Sequence, residues 1–256
     1  METNTNNMKK LDTYIFVHDQ EIILDFNIKN RFSDFENFKY VFLSNRPTDK
    51  IEHLENVIIV KNLKTNIEEY PKFTSFTGWY ALVKNNLIDS EYVNFFEYDV
   101  NYVPEFVDIN KQIINKDFDF IGYFPMLITD PVYVTQKQYT DALIKSIKDK
   151  TSVDIYMVIN EIINKNKLSL WSSSSNSTWK STELIKYVDW FSQFIDDIKE
   201  NQFCGHMHER SLSFYYFINE LKVYNTKNLM THFQLNTHST SPLPPDRFNS
   251  LYSNLK

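Results

Sequence analysis

The stretch "YVNFFEYDVNYVPEF", residues 92–106, decides how the chain is read. An apolar, aromatic run of the kind that fills a buried strand stops at two carboxylates one residue apart, Glu97 and Asp99. Charge in a buried strand must be hydrated, paired or bound, so the acids mark the strand's exit to solvent or a ligand. Working outward, three β-rich runs come earlier: "TYIFVHD" (13–19), "YVFLSN" (40–45) and "VIIVKN" (57–62). A helix-like "GWYALVKNNL" (78–87) follows them, and "FDFIGYF" (118–124) comes after the acids. Strands alternating with a helix predict an α/β architecture, a mainly parallel sheet flanked by helices. The second half places apolar residues at helical spacing in "TQKQYTDALIKSIKD" (135–149), "SVDIYMVINEIIN" (152–164), "TELIKYVDWFSQFIDDIKE" (182–200) and "ERSLSFYYFINELK" (209–222). With no repeat, no charge block and no long Gly/Ser/Pro linker, the expectation is a single domain over 1–256.

Composition narrows the classes. At 256 residues and 42% hydrophobic content the chain can fill a core. The formal charge of -6 comes from interleaved lysines and acids, so no basic stripe points to nucleic acid. "METNTNNMKK" lacks an apolar signal region, and the apolar runs are too short and too charged for a transmembrane segment. The expected location is the cytoplasm, or the host cytoplasm for a viral protein. Cys204, the single cysteine, excludes an internal disulfide framework and a cysteine-cluster zinc site within one chain. Gly78, Gly122 and Gly205 lie far apart, so no Walker loop, dinucleotide fingerprint or Gly-x-Ser-x-Gly elbow can be drawn. The abundance of Asn, Lys, Ile, Phe and Tyr matches the coding bias of an AT-rich bacterial or viral genome.

In open α/β sheets ligands sit outside the carboxyl ends of the strands, where "NFFEYDVNY" delivers Glu97 and Asp99. If strand pairing persists through the stretch, both acids point to one side and can converge on a hard cation, Mn2+ or Mg2+. Such an ion can bridge the phosphates of a sugar nucleotide and absorb charge on the departing diphosphate. The bland reading makes the pair solvated acids in a turn. "LWSSSSNSTWKS" (170–181), flanked by Trp171 and Trp179, reads as a surface loop anchored by its tryptophans, or as a sugar subsite built on aromatic faces. The "SPLPPDRF" tail reads as an extended segment packing over the domain or joining subunits.

Taken in order, "TYIFVHD … YVFLSN … VIIVKN … GWYALVKNN … YVNFFEYDV … FDFIGYF … WSSSSNSTWK … YVDWFSQF … HMHERSLSFYYF" resembles small GT-A nucleotide-sugar glycosyltransferases. These include enzymes of large DNA viruses and bacterial surface-polysaccharide loci, and the likeness spans most of 13–220. It implies a GT-A (Rossmann-like) fold with a nucleotide-binding half near 11–125 and an acceptor half near 126–256. It also implies a nucleoside diphosphate sugar donor and a glycan or glycoprotein acceptor. "EYD" looks like a variant of the family's Asp-x-Asp triplet for metal and diphosphate; Glu in first place departs from the commonest form and leaves Asp99 the firmer ligand. His206 and His208 resemble the late imidazole that many such enzymes add to the metal, against a reading in which they only decorate a polar loop. His18 and Asp19 stand where base and ribose contacts are implied, or form a plain strand-end turn. Lys84 stands on the helix beside the donor with Trp79 and Tyr80, which are core residues first. Glu209, Asp189, Asp196 and Asp197 are the carboxylates available as a base if the reaction inverts. Two other classes stay open: a metal-dependent nucleotidyltransferase or phosphohydrolase, and a non-catalytic carbohydrate-binding module.

Overall fold

The computed structural model describes residues 10–127, 140–164, 170–172 and 174–232. The "SPLPPDRF" tail and the side chain of Trp171 lie outside the described set. β1 (Leu11–Val17), β2 (Phe38–Phe42) and β3 (Val57–Ile59) run parallel side by side, and β4 (Tyr92–Glu97) lies parallel to β1 on its other flank. β9 (Ser177–Lys180) runs antiparallel between β4 and β6 (Phe120–Gly122), and β10 (Val223–Asn225) pairs parallel with β6. The result is a seven-stranded, mostly parallel sheet in the order β10-β6-β9-β4-β1-β2-β3. This is the mixed α/β architecture expected from the alternation of strands and helices. β5 (Val100–Tyr102) and β11 (Met230–His232) form a separate antiparallel pair, as do β7 (Pro125–Leu127) and β8 (Leu170–Ser172).

Both faces of the sheet are covered, which is why β1 and β4 read as continuous apolar runs rather than alternating ones. Tyr14 and Phe16 enter one core, Ile15 and Val17 the other. Against the first face pack α3 (Ser75–Lys84), α5 (Asp141–Thr151), α6 (Ile155–Asn164), α7 (Ser181–Ser192) and α9 (Cys204–Ile218). Trp79 lies 4.7 Å from Phe95 between ring centres, and Trp179 lies 4.7 Å from Phe120. Gly78 permits this close approach, because a Cβ there would lie 2.5 Å from the Phe16 ring. Against the second face lie α2 (Phe26–Arg31), which follows the single-turn α1 (Gln20–Leu24), and α4 (Phe106–Ile114).

Two expectations need correction. The helical run 182–200 is two helices, α7 and α8 (Ile195–Ile198). The segment read as a surface loop is interior: Ser174, Ser175, Asn176, Ser177, Thr178 and Trp179 are all buried, and its second half is β9. Polar residues survive there because they are hydrogen-bonded. Thr178 Oγ1 donates to Asn94 Oδ1 (2.5 Å), Asn110 Nδ2 donates to the same oxygen (2.9 Å), and Tyr123 Oη donates to Asn110 Oδ1 (2.8 Å). Asn94 Nδ2 closes the network by donating to Thr13 Oγ1 (3.1 Å).

Candidate functional site

Parallel pairing brings three strand ends together. Phe16 stands opposite Glu97 and Val17 opposite Phe42, so the residues after β1, β2 and β4 share one edge of the sheet. His18 and Asp19 follow β1, and Arg46 follows β2. The His18 ring packs edge-on against Tyr98 at 5.2 Å between centroids. Asp19 does two jobs: one carboxylate oxygen accepts from the backbone N–H of Glu21 at the start of α1 (3.1 Å), and the other accepts from Arg46 Nη1 (2.6 Å).

Strand pairing does not persist through the acids. β4 ends at Glu97, Tyr98 and Asp99 form a turn, and Val100 begins β5. The alternation of burial survives the turn nonetheless: Tyr98 and Val100 are buried, while Glu97 and Asp99 are half-buried. The turn is fastened from several sides. Glu97 N–H donates to Asn176 Oδ1 (2.7 Å), Tyr98 N–H donates to the Phe16 carbonyl (3.2 Å), and Arg31 Nη1 donates to the Tyr98 carbonyl (3.0 Å). Burial raises the Tyr98 phenol well above its ordinary value; the negative charges of Asp99, Glu97 and Asp19 add to that, and Arg46 opposes it. Asp19, Arg46, Glu97 and Asp99 are thus the charges surrounding that ring.

The antiparallel β5–β11 ladder sets His232 opposite Val100, one residue from Asp99. Arg31, Arg46 and Asn176 were missed in the sequence: a lone cation or amide has no motif until the fold brings it to the turn.

The other candidates go elsewhere. α9 begins at Cys204, so His206 and His208 both lie inside the helix, where residues two apart do not face one another. His206 is exposed, with Nδ1 3.5 Å from Glu209. His208 is fully buried among the rings of Phe76, Trp79, Tyr187 and Phe191, and neither ring nitrogen has a hydrogen-bond partner among the described residues. Desolvation pulls its pKa down to about 3. It is a neutral core residue, not a companion of Glu97 and Asp99. Among the described residues no group of three or more His, Cys, Asp or Glu is gathered as a metal cage.

Lys84 is the last residue of α3, whereas Ser75 at the other end reaches the carboxyl edge by donating to Ser175 Oγ (2.8 Å). Lys84 pairs with Asp189 at 2.7 Å between α3 and α7, which takes both off the strand ends. Asp196 pairs with Lys199 (2.9 Å) and Asp197 with Lys150 (2.7 Å), as surface ties of the helical layer. Glu209 is better placed. It is half-buried and held by Arg210 at 2.5 Å, and the first turn of its helix abuts Thr74, since a Cβ on Gly205 would lie 2.9 Å from Thr74 Oγ1. Thr74 precedes Ser75, so the start of α9 sits at the same end of the molecule as the acids. A groove of about 280 Å³ opens at the opposite edge, lined by Lys10, Thr13, Phe35 and Lys111. Its lysines are paired with Asp89 and Glu36.

No protein-family model matches the chain, and no curated protein matches it in sequence. Among solved structures, the chain is similar to the apo structure of WbbM, a bifunctional glycosyltransferase, with a TM-score of 0.60 at 13% identity. The match covers 92% of this chain and 47% of that one, so the chain spans about half the length of this structural relative. The bifunctional IspDF from Campylobacter jejuni aligns over 85% of this chain and 49% of its own at 14% identity, but with a TM-score of 0.41. Among the described residues no helix is long and apolar enough to cross a membrane. The fold is therefore glycosyltransferase-like, with a seven-stranded Rossmann-like sheet of the GT-A kind.

Proposed function

We propose that the chain is a glycosyltransferase that moves a sugar from a nucleoside diphosphate donor to a hydroxyl group of a glycan or glycoprotein. One observation carries the reading: Glu97 and Asp99 leave β4 beside the ends of β1 and β2, with His18, Asp19 and Arg46, in a glycosyltransferase-like sheet. Asp99, with Glu97 assisting, holds Mn2+ or Mg2+. Two half-buried carboxylates, with no cage of three or more His, Cys, Asp or Glu among the described residues, fit an ion that takes its remaining ligands from substrate phosphates. When bound, the ion supplies Lewis-acid stabilisation of the departing diphosphate. His18 and Asp19 contact the nucleoside, and Arg46 offsets phosphate charge. Glu209, held by Arg210, takes the acceptor proton if configuration inverts.

A melting-temperature screen of UDP-, GDP-, CMP- and dTDP-linked sugars, each with and without Mn2+, tests the proposal, because a ligand that binds only the native state raises apparent stability. The expected result is a rise for one donor in the presence of the metal, with slow hydrolysis of that donor to the nucleoside diphosphate. Release of pyrophosphate from a nucleoside triphosphate would point instead to a nucleotidyltransferase. Stabilisation by glycan alone, indifferent to Mn2+, would point to a binding module.

A further inference from the structure

We infer that Arg31 is a positioning residue for the acidic triplet: its guanidinium braces the turn that presents Asp99 and thereby sets how well Glu97 and Asp99 hold a divalent cation. The inference rests on the reading of residues 97–99 as a metal and diphosphate site. It starts from the geometry of one nitrogen. Arg31 Nη1 donates to the carbonyl of Tyr98 (3.0 Å) and to the carbonyl of Val100 (3.3 Å), the residues on either side of Asp99. These lie where the β4 ladder has stopped and the β5 ladder has just begun, so the central sheet's pairing does not fix them. Tying both to one planar cation fixes the peptide plane just before Asp99 and the plane just after Val100, which limits how the backbone between them can turn and so how Asp99 is presented.

The brace is itself held. Arg31 is the last residue of α2, which is anchored by the buried Ile28 and by Phe32 just past its end. The helix start is capped by Asp25, whose carboxylate accepts from the N–H groups of Asn27 (2.8 Å) and Ile28 (3.3 Å). The guanidinium is half-buried with Tyr40, Tyr102 and Asp99 as electrostatic neighbours. Guanidinium stays charged in such surroundings, which a lysine ammonium does less readily.

The test uses the full chain, Arg31→Lys, Arg31→Met and Asp99→Asn, with Mn2+ as the metal and a nucleoside diphosphate as the anion. Mn2+ affinity is measured by electron paramagnetic resonance with and without the nucleoside diphosphate, metal-free nucleotide affinity by calorimetry, and folding by thermal melting. Outer-shell partners of metal ligands are worth about 10–100-fold in affinity. Arg31→Met should lose Mn2+ affinity in that range when nucleotide is present, while metal-free nucleotide affinity is unchanged. Arg31→Lys, which keeps the charge and loses the planar fork, should fall between and remain folded should the methionine variant not fold. Equal losses of metal-dependent and metal-free binding would make Arg31 merely structural and overturn the inference. Wild-type Mn2+ binding in a folded Arg31→Lys, with Asp99→Asn still defective, would overturn it alone. Wild-type binding in Asp99→Asn would overturn the reading of the triplet beneath it.

Discussion

Two regions bear the residue types that hold metals, and the chain treats them in opposite ways. At the end of β4, Glu97 and Asp99 are half-buried, their turn is fastened by Asn176, Phe16 and Arg31, and the charges of Asp19 and Arg46 stand around the same tyrosine. In the first turns of α9, His208 is enclosed by aromatic rings with no hydrogen-bond partner on either nitrogen among the described residues, while His206 is exposed. The acids are presented by a turn that leaves a sheet; the histidines are separated by a helix that sends alternate residues to different sides. Residue type proposes a ligand, and the backbone between two ligands decides whether they can act together.

Substitutions can break or sharpen this contrast. The largest effect is expected from Asp99→Asn, which removes the proposed metal ligand and leaves the apolar core intact. Losing several kcal/mol of charge stabilisation corresponds to a fall in transfer rate on the order of a hundredfold or more, with the melting temperature essentially unchanged. Steady-state assays beside thermal melts check both halves, and an unimpaired rate would refute the site.

Second comes the pH dependence of His208. Folding holds its pKa at about 3 against an ordinary 6.5, so between those values the unfolded chain binds a proton that the folded chain does not. Stability contributed by the neutral ring is therefore present above about pH 6.5 and is lost as pH falls toward 3, at roughly 1.4 kcal/mol per unit within the window. Denaturant melts across that range should show the slope, and His208→Leu should flatten it while leaving Mn2+ and nucleotide binding intact. Loss of metal binding in that variant would restore the histidine to the site.

Smaller again is Gly78→Ala, which bears on the helix that supplies Phe76 and Trp79 to the box around His208. The new Cβ meets Phe16 at 2.5 Å, and overpacking of this kind costs about 1–3 kcal/mol. Calorimetric unfolding measures it. Smallest is Asp189→Asn, which breaks the exposed pair with Lys84. An effect below about 1 kcal/mol on stability and none on donor binding is expected. A large loss of turnover there would return Asp189 to the list of bases.

How much of this was legible in the sequence varies by element. β1, β2, β3 and β4 announce themselves because strands buried on both faces read as unbroken apolar runs. β9 does not, since Ser177 and Thr178 look like loop residues until Asn94 of β4 and Tyr123 just past β6 arrive to satisfy Thr178. Glu97 and Asp99 stood out by position, and Glu209 by its helix. Arg31 carries no local signal at all, because its partners are carbonyls of residues far along the chain, visible only once α2 lies against the turn. His206 and His208 misled because the helix starts at Cys204, five residues before the 209 at which its apolar spacing becomes legible, and that shift turns a pair into two separate environments.

The most direct measurement is paramagnetic broadening of the histidine ring resonances by substoichiometric Mn2+ with a nucleoside diphosphate present. His18, packed at 5.2 Å on the tyrosine between the two acids, should lose its signal first, and the loss should vanish in Asp99→Asn. His208 should persist to much higher metal. Broadening of His208 ahead of His18, or broadening that survives in Asp99→Asn, would contradict a metal and diphosphate site at the end of β4.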